Sequence, residues 1–280
     1  MSINNEKFKH NALTDEAYIY PAMPRDTTTP KDTKMIKDEN SIKHVVSFSG
    51  GKDSTAMLLM MIEKGVQIDR IICIDTTKEF PGMIDHIQKV VGIVKPLKIE
   101  IIKINFDYWF SEHIKTKGKW VGKQGYGWPD FRNRWCTALK QEASIKTVYS
   151  NDAFEPCKRG RGKLVNKDVI EYHGIAYDEK ERCNNNKDRN IRYPLVEWKI
   201  TEKQALAYCY SRGFYWDGLY EKFFRVSCWC CPLSRIGELR ILYRDFPHLW
   251  NKLREMDKKS FRKFRSDYSV SELEEKFKGE

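Results

Sequence analysis

The sequence predicts an α/β fold, in which helices cover both faces of a parallel twisted sheet and a helical, cysteine-rich extension follows. Two observations predict it: short apolar runs alternate with helix-forming segments, and apolar and basic positions alternate near the C-terminus. Alternation of strands and helices builds a parallel sheet with right-handed crossovers. Within the 280 residues we expect an N-terminal arm at 1–40, a sheet domain with clustered cysteines at 41–234 and a helical extension at 235–280.

The first elements follow one another closely. An apolar run at residues 44–48 predicts a buried strand, and residues 53–64 predict a helix that Gly65 ends. A second strand is predicted at 70–75, and Pro81 suits the first turn of the next helix. Each of these strands therefore leads into a helix, as a parallel sheet requires.

A third strand is predicted at 99–104. Ligands of open parallel sheets bind beyond the carboxyl ends of the strands. We therefore expect the loops at 49–54 and 75–80 to lie on one functional edge of the sheet.

Further helices are predicted in the C-terminal part of the chain. Thr201 and Gln204 have the spacing of a capping box, and Gly213 is suited to end the helix that they begin. Residues 235–265 alternate apolar and basic positions, which predicts the C-terminal helices.

Composition limits the classes of partner and location. The 50 lysine and arginine residues exceed the 39 acidic ones, which gives a net charge of +11 and a pI of about 9.1. This charge fits polyanionic partners, and a lysine-rich solvated surface explains it equally well.

The sequence contains no run of about 18 apolar residues, so it predicts no membrane-spanning helix. It also contains no recognisable secretory signal. Eight cysteines without such a signal favour a reduced compartment, so we expect a cytoplasmic protein that does not contact a membrane.

A glycine-rich turn between the first strand and helix carries the strongest functional signal. It consists of Ser49, Gly50, Gly51, Lys52, Asp53 and Ser54. Free backbone N–H groups and the positive end of a helix bind phosphate at such a turn, and the glycines let the backbone approach it. The serines add hydroxyls, Lys52 adds a mobile charge, and Asp53 orients the loop or helps to hold a metal.

Two other interpretations of this turn are possible. The spacing is not that of a Walker loop, which disfavours simple kinase or GTPase chemistry. A glycine-rich turn capped by serine and aspartate can also be purely structural, but here the whole string coincides with a strand and a helix. We expect Lys52 and Asp53 to lie in an exposed loop with little core around them.

Several further blocks follow in the chain. They are Asp75, Thr76, Thr77 and Glu79; residues 135–140 (WCTALK); residues 174–179 (GIAYDE) with Arg182; residues 193–198 (YPLVEW); and residues 228–233 (CWCCPL). With these blocks the chain resembles the PP-loop superfamily, and more closely its phosphoadenylyl-sulfate reductase-like branch. The resemblance extends from about His44 to Leu233, and the glycine-rich turn and the last block are its specific parts.

This resemblance implies an adenine nucleotide at the carboxyl edge of the sheet. In such enzymes ATP, with Mg²⁺, is split to AMP and pyrophosphate as a substrate is adenylated, or a preformed adenylyl sulfate is bound and reduced. The resemblance implies that Asp75 and Thr76 lie by the nucleotide or metal and that Lys140 and Arg182 face phosphate or sulfate. For Lys140 a solvated helix position is an equal alternative. The candidate catalytic residues are Lys52, Asp53 and Asp75.

The cysteines of the last block predict a metal site. Cys228 and Cys231 have the spacing by which two thiolates reach one metal, and the resemblance adds Cys136. Zinc needs about four ligands, and an iron–sulfur cluster usually has four thiolates. Three alternatives remain for the fourth ligand. It is Cys230, or it is Cys183, or no fourth cysteine binds and one iron of the cluster stays open to sulfide. We predict a 4Fe–4S cluster, with zinc as the second choice.

The chain also departs from the reductases that it resembles. Where assimilatory adenylyl-sulfate reductases carry a Cys-Cys pair, this chain has Trp135 and Cys136. The reductases place a nucleophilic thiolate in a mobile C-terminal tail, but no cysteine follows Cys231 here. Cys73 and Cys209 lie in a predicted strand and a predicted helix and are expected to be packing residues.

Three functions fit these signals. The first is an ATP-dependent sulfurtransferase that adenylates an oxygen of DNA or RNA and replaces it with sulfur, as in DNA phosphorothioation or tRNA thiolation, with a cysteine desulfurase as sulfur donor. A basic loop at 157–163 and the aromatic and basic residues at 120–140 fit a phosphate backbone and unstacked bases. The second is a sulfonucleotide reductase, and the third is a non-catalytic nucleic-acid-binding module.

Overall fold

The strands of the described residues are β1 (Lys43–Ser47), β2 (Arg70–Asp75), β3 (Ile99–Lys103), β4 (Asn166–His173) and β5 (Arg189–Arg192). They form one all-parallel sheet in the order β3-β2-β1-β4-β5. This computed structural model describes residues 42–116, 118, 121–149, 166–183 and 189–279. The α/β fold with a parallel sheet is confirmed, and the predicted N-terminal arm and the basic loop at 157–163 lie outside the described residues.

The α-helices of the described residues are α1 (Lys52–Glu63), α2 (Pro81–Ile93), α3 (Trp135–Tyr149), α4 (Pro194–Glu197), α5 (Glu202–Ser211), α6 (Leu219–Lys222), α7 (Ile236–Asp245), α8 (Pro247–Lys259) and α9 (Val270–Lys278). Short helical turns of other kinds are a π-helix at Tyr108–Glu112 and 3-10 helices at Tyr177–Arg182 and Trp216–Gly218. None of the described helices is long and apolar enough to cross a membrane.

The first strand and helix form where the sequence predicts them, within one residue at each end. The apolar side chains of α1, such as Met57, Leu58 and Met61, are fully buried against the sheet, so burial of apolar surface stabilises this unit. The helix ends at Glu63, and Gly65 follows with a φ of +64°, which glycine adopts without strain. The unit thus holds the loop between β1 and α1 on a rigid base.

The capping box predicted before α5 is confirmed. The Thr201 side chain accepts a hydrogen bond from the Gln204 backbone, and the Gln204 side chain accepts one from the Thr201 backbone. These two bonds satisfy N–H groups that a helix start leaves unpaired. The cap fixes the position of Glu202 in the first turn of α5, which matters for the site described below.

The C-terminal helices pack on the same core as the sheet. Leu242 of α7, Leu253 of α8 and Leu273 of α9 are almost fully buried in the cluster that also contains Val46 of β1. The ring of Phe80, at the start of α2, lies 5.3 Å from the ring of Phe246, at the start of α8. The extension is therefore integrated with the sheet and stands close to the loop that follows β2.

Candidate active site

The glycine-rich loop, residues 49–54, leaves the carboxyl end of β1 and enters α1. Gly50 has a φ of +79°, and a Cβ there would lie 2.6 Å from Cγ1 of Ile87. A Cβ on Gly174, just after β4, would lie 2.7 Å from Cα of Ser54. Only residues without a side chain allow these approaches. The hydroxyl oxygens of Ser49 and Ser54 lie 3.0 Å apart and close the loop.

Two aromatic residues that the sequence did not single out fasten the loop backbone. The indole N–H of Trp216 donates to the carbonyl of Gly50 at 2.8 Å. The hydroxyl of Tyr220 accepts from the backbone N–H of Lys52 at 2.9 Å. Both lie more than 160 positions along the chain, so local sequence carries no signal for them. They make the loop rigid before any ligand arrives, which reduces the entropy cost of binding.

Lys52 is buried, which corrects the expectation of an exposed side chain. Lys52 as a whole is 9% exposed. Its Nζ atom lies 2.8 Å from Oδ2 of Asp53 and 2.6 Å from Oε1 of Glu202. Burial disfavours the ammonium, but Asp53 and Glu202 outweigh burial and raise the pKa of Lys52. Lys52 is therefore a permanently charged group, because the start of α5 packs against the loop.

Three carboxylates converge beside this lysine. One oxygen from each of Asp53, Glu179 and Glu202 lies within 4.8 Å of the others. Burial raises the pKa of Asp53 against the opposing effect of Lys52, and its Oδ1 atom is buried without a hydrogen-bond partner. Arg182 donates a short hydrogen bond to Glu179. Asp53 and Arg182 are among the site residues that the sequence predicts, whereas Glu202, which lies between the capping-box residues Thr201 and Gln204, is not.

The loop after β2 forms a second group of polar side chains at the same sheet edge. Oδ1 of Asp75 accepts from the backbone N–H of Thr77 at 2.7 Å, and Thr77 has a φ of +63°. Non-glycine residues rarely adopt this conformation, and such strain is concentrated at functional sites. The Thr76 hydroxyl donates to Oε1 of Glu79 at 2.9 Å. Asp75 and Thr76 are buried.

This second group contacts the cysteines directly. Sγ of Cys228 lies 3.4 Å from the Thr76 hydroxyl and 3.7 Å from Oε1 of Glu79. Nζ of Lys140 lies 3.2 Å from the same Glu79 oxygen. Burial opposes the charge of Lys140, but Glu79, Cys228 and Cys136 outweigh it and raise its pKa. Lys140 is thus placed among Glu79 and the cysteines.

The four clustered cysteines differ in their surroundings. Cys136, in the first turn of α3, and Cys228 and Cys231 are half-buried, whereas Cys230 is 2% exposed and packs in the core. Burial, reinforced by Glu79, raises the pKa of Cys228 to about 12. Burial raises the pKa of Cys231 against the effect of a backbone hydrogen bond at Leu233, and the nearby Cys136 thiol adds to the rise. The structure therefore brings these cysteines into one electrostatic neighbourhood.

The remaining described cysteines are separate from this neighbourhood. Cys183 follows the 3-10 helix that carries Glu179 and Arg182, on the β4 side of the glycine-rich loop. Cys73 and Cys209 are 1% and 0% exposed, which confirms them as packing residues. No three sulfur atoms of the described cysteines all lie within 4.8 Å of one another.

The family of the chain follows from residues 43–234, which match the model of the phosphoadenosine phosphosulfate reductase domain. This chain belongs to that family. The match and the parallel sheet confirm the predicted membership of the PP-loop superfamily and its phosphoadenylyl-sulfate reductase-like branch. The glycine-rich loop and the cysteines Cys136, Cys228, Cys230 and Cys231 all lie inside the matched phosphoadenosine phosphosulfate reductase domain.

Individual relatives of this reductase-domain chain are distant. An uncharacterised protein of Methanocaldococcus jannaschii is 28% identical over 219 residues, which are 74% of this chain and 40% of that protein. The chain thus spans about 40% of the length of the curated relative that it matches. A solved structure, the U34-tRNA thiolase of Methanococcus maripaludis with its 4Fe–4S cluster, aligns with 86% of this chain and 74% of its own at 15% identity and a TM-score of 0.39. Similarity at that level supports no conclusion about function.

Proposed function

We propose that this chain is an ATP-dependent sulfur-transfer enzyme that acts on nucleic acid. In the first step, an oxygen of the substrate attacks the α-phosphorus of ATP, so that an adenylated substrate forms and pyrophosphate leaves. In the second step, sulfide attacks the activated atom of the substrate, the bond to oxygen breaks and AMP leaves with that oxygen. DNA phosphorothioation and tRNA thiolation are the two reactions of this type that we consider.

One observation supports this proposal most strongly. The glycine-rich loop and the Asp75 loop follow the neighbouring strands β1 and β2 at one edge of the sheet, and the second loop contacts Cys228 through the Thr76 hydroxyl at 3.4 Å. Ligands of open parallel sheets bind at this edge. A nucleotide held at the first loop therefore lies beside the thiols that would supply sulfur chemistry.

The chain's own groups are suited to hold the phosphates of ATP. The backbone of Gly50 and Gly51 stands at the positive end of α1, where anions are stabilised. Lys52 provides a fixed positive charge beside Glu202. Arg182 provides a second positive charge beside Glu179, another of the three clustered carboxylates. Nζ of Lys52 donates to Asp53 and Glu202 and has a third N–H for a phosphate oxygen. We assign Lys52 to charge stabilisation on the departing pyrophosphate.

The three carboxylates fit Mg²⁺, because this ion prefers oxygen ligands and Asp53 has a buried oxygen without a partner. When bound, Mg²⁺ neutralises phosphate charge. Asp53, Glu179 and Glu202 would hold the ion next to Lys52. Asp75 instead shapes its own loop by accepting from Thr77, so we assign it to positioning of the nucleotide or of the attacking oxygen.

The cysteines fit a 4Fe–4S cluster better than zinc. Thiolates are the ligands of both, but a zinc ion gathers all its ligands around one atom, whereas each thiolate of a cluster binds a different iron. No three of the described sulfur atoms lie within 4.8 Å of one another, so zinc ligation by three of them would require the thiols to approach one another. Cys136, Cys228 and Cys231 would hold the cluster, and Cys230 in the core would not. Held by these three thiolates, a cluster would supply a site for sulfide from a donor such as a cysteine desulfurase.

A sulfonucleotide reductase is the second candidate, and the family match itself favours it. It would use the same nucleotide loop, but it needs an accessible thiolate that attacks sulfur. Pyrophosphate release distinguishes the two candidates. Anaerobically purified protein should release pyrophosphate from ATP when RNA or DNA and a sulfide source are supplied, and Lys52→Ala should abolish the release. Sulfite formation from adenylyl sulfate without pyrophosphate release would instead establish the reductase.

A further inference from the structure

A second pocket lies directly beyond the cysteine loop. It has a volume of about 350 Å³ and is lined by residues 128–131, 232–233 and 262–267. Pro232, which follows Cys231 in the chain, forms part of its wall. Small-molecule pockets in proteins measure about 300–1,000 Å³, so this one has room for a single nucleotide. It is separate from the glycine-rich loop.

The wall at 128–131 is a rigid loop with an exposed tip. Trp128 is 1% exposed, and its indole N–H donates to Asp257 at 2.7 Å. Trp135, also buried, donates to the carbonyl of Gly127 at 3.0 Å. Between these two anchors Phe131 is 83% exposed, the most exposed large apolar side chain of the described residues. A phenyl ring held in water on a rigid loop is a prepared stacking surface.

Cations follow Phe131 in the chain and also line the same pocket. Arg132 and Arg134 are exposed and form no ion pair within the described part of the chain. Within the pocket, Arg262 lies 3.2 Å from Asp130, Lys263 lies 2.8 Å from Glu272, and Arg265 lies 2.9 Å from Asp267. Arg262 and Arg265 are also held by backbone carbonyls. The Lys263–Glu272 pair is partly exposed on both sides, and such pairs contribute only about 0–1 kcal/mol. At Lys263 a phosphate can therefore replace the carboxylate at small cost.

We propose that this pocket binds one unpaired nucleotide of an RNA loop, with its base stacked on Phe131 and the adjoining phosphates on Arg132 and Arg134. The proposal rests on the proposed function and specifies its substrate. Because Pro232 lines the pocket and follows Cys231 in the chain, RNA bound there lies next to Cys231. A neighbouring residue of the RNA can then reach the edge of the sheet where the glycine-rich loop and the cysteines meet.

Energetics favour an unpaired nucleotide over a duplex. Extrusion of a base from a duplex costs a few kcal/mol, and recovery of this cost requires a closed pocket that contacts the base on several sides. Here a single exposed ring offers one stacking face. RNA loops present bases that are already unstacked, and aromatic side chains with nearby arginines are the usual means of binding them.

The test measures binding of a fluorescein-labelled oligouridylate of 15 residues by fluorescence anisotropy, with an RNA duplex and oligothymidylate as further probes. Phe131→Ala should weaken binding of the oligouridylate about tenfold, because stacking of one base accounts for about that much affinity. Arg134→Ala should reduce the slope of log affinity against log salt by about 0.7. The controls Ile93→Ala and Lys98→Ala remove an exposed apolar and a charged side chain at the opposite edge of the sheet, and both should bind as wild type does.

The outcomes separate this inference from the proposed function. ATP-dependent pyrophosphate release is measured on the same preparations. If release fails but Phe131→Ala still weakens oligonucleotide binding, the pocket stands and the proposed reaction does not. Equal affinity of wild type and Phe131→Ala for oligouridylate overturns the pocket, even if pyrophosphate is released. Preference of the wild type for duplex RNA or for oligothymidylate overturns the assignment to an RNA loop. If Phe131→Ala impairs only sulfur delivery by a donor protein, the surface belongs to that donor and the inference is wrong.

Discussion

Lys52 and Glu202 lie 150 positions apart in the chain, yet Nζ of Lys52 and Oε1 of Glu202 are 2.6 Å apart. This contact joins the start of α1 to the start of α5 and gives the lysine a second carboxylate besides that of Asp53. Lys52, which we propose to bind phosphate, is therefore also a structural link between the two helices, and its loss has two consequences.

Lys52→Ala should abolish pyrophosphate release and also destabilise the fold. Asp53, which is mostly buried, would lose its cation, and an uncompensated carboxylate of this kind should lower the free energy of unfolding by about 2 kcal/mol. Urea unfolding at pH 7 measures the stability, and a pyrophosphate assay measures the reaction. Lys98→Ala, at an exposed position, should change neither. Pyrophosphate release at the wild-type rate in Lys52→Ala would place phosphate binding elsewhere.

The cysteine site predicts a specific pattern of metal loss. Protein purified without oxygen should be brown and contain iron and sulfide, and serine at Cys136, Cys228 or Cys231 should remove the colour because each thiolate binds its own iron. Cys183→Ser is the matched control, since this half-buried cysteine lies on the other side of the glycine-rich loop, and it should keep its iron. Zinc without iron in the wild type would contradict the cluster but leave the three-cysteine site.

Gly174 tests the close packing behind the glycine-rich loop. A Cβ at this position would lie 2.7 Å from Cα of Ser54, a backbone atom that cannot turn aside. Gly174→Ala should therefore lower the free energy of unfolding by about 1–3 kcal/mol and weaken ATP binding, measured by calorimetry. Gly237→Ala meets nothing within 4 Å near the start of α7 and should be neutral or slightly stabilising. Equal stability of the two variants would show that the loop tolerates displacement.

The local parts of this site could be predicted from the sequence. The apolar run of β1, the glycines of the loop and the apolar face of α1 all lie within about 20 residues, a span over which the spacing of residues determines structure. The spacing of Cys228 and Cys231 likewise predicts them as a pair. The capping box at Thr201 is predictable because a helix cap depends only on neighbouring residues.

The rest depends on contacts that spacing does not encode. Trp216 and Tyr220 bind the loop backbone, and Glu202 binds Lys52, because the tertiary fold returns distant segments to the carboxyl edge of the sheet. Cys230 has the same sequence surroundings as Cys231 but packs in the core, and only the tertiary structure distinguishes the two. The spacing of residues in a single sequence carries no signal for these contacts or for the burial of Cys230.

His86 predicts a dependence of stability on pH. It is buried, its Nε2 lies 2.9 Å from the Thr55 hydroxyl and its ring lies 4.3 Å from that of Trp216. Burial, with the nearby charge of Lys89, lowers its pKa from 6.5 to about 3. Below pH 6.5 the unfolded chain binds a proton at His86 and the folded chain does not, so stability falls as the pH falls from 6.5 towards 3.

His86→Gln removes this proton-linked loss. The difference between the free energies of unfolding at pH 7 and pH 5 should be about 2 kcal/mol smaller in the variant than in the wild type. Urea unfolding at both pH values measures it, and the exposed His248→Gln provides a control for the general effect of removing a histidine. The same difference in wild type and His86→Gln would mean that another group dominates this range.

Reduction of adenylyl sulfate or its 3′-phosphorylated form should not occur at a catalytic rate. The reaction begins when a thiolate attacks sulfur, and such a thiolate needs access and a lowered pKa. Burial raises the pKa values of Cys228, Cys230 and Cys231, and Cys228 and Cys231 are assigned to metal. Burial together with Glu181 also raises the pKa of Cys183, against the effect of Arg182. These described cysteines are therefore poor nucleophiles.

The assay for this last prediction incubates the protein with each sulfonucleotide and reduced thioredoxin and measures sulfite. We expect no sulfite above a control without protein, although either nucleotide should still protect the glycine-rich loop from proteolysis, because its phosphate groups suit that loop. Cys157, which lies outside the described residues, is next to Lys158 and Arg159 in the sequence, and such cations lower the pKa of a thiol. Catalytic sulfite formation that is lost in Cys157→Ser or Cys183→Ser would therefore replace sulfur transfer with the reductase reaction and identify the nucleophile.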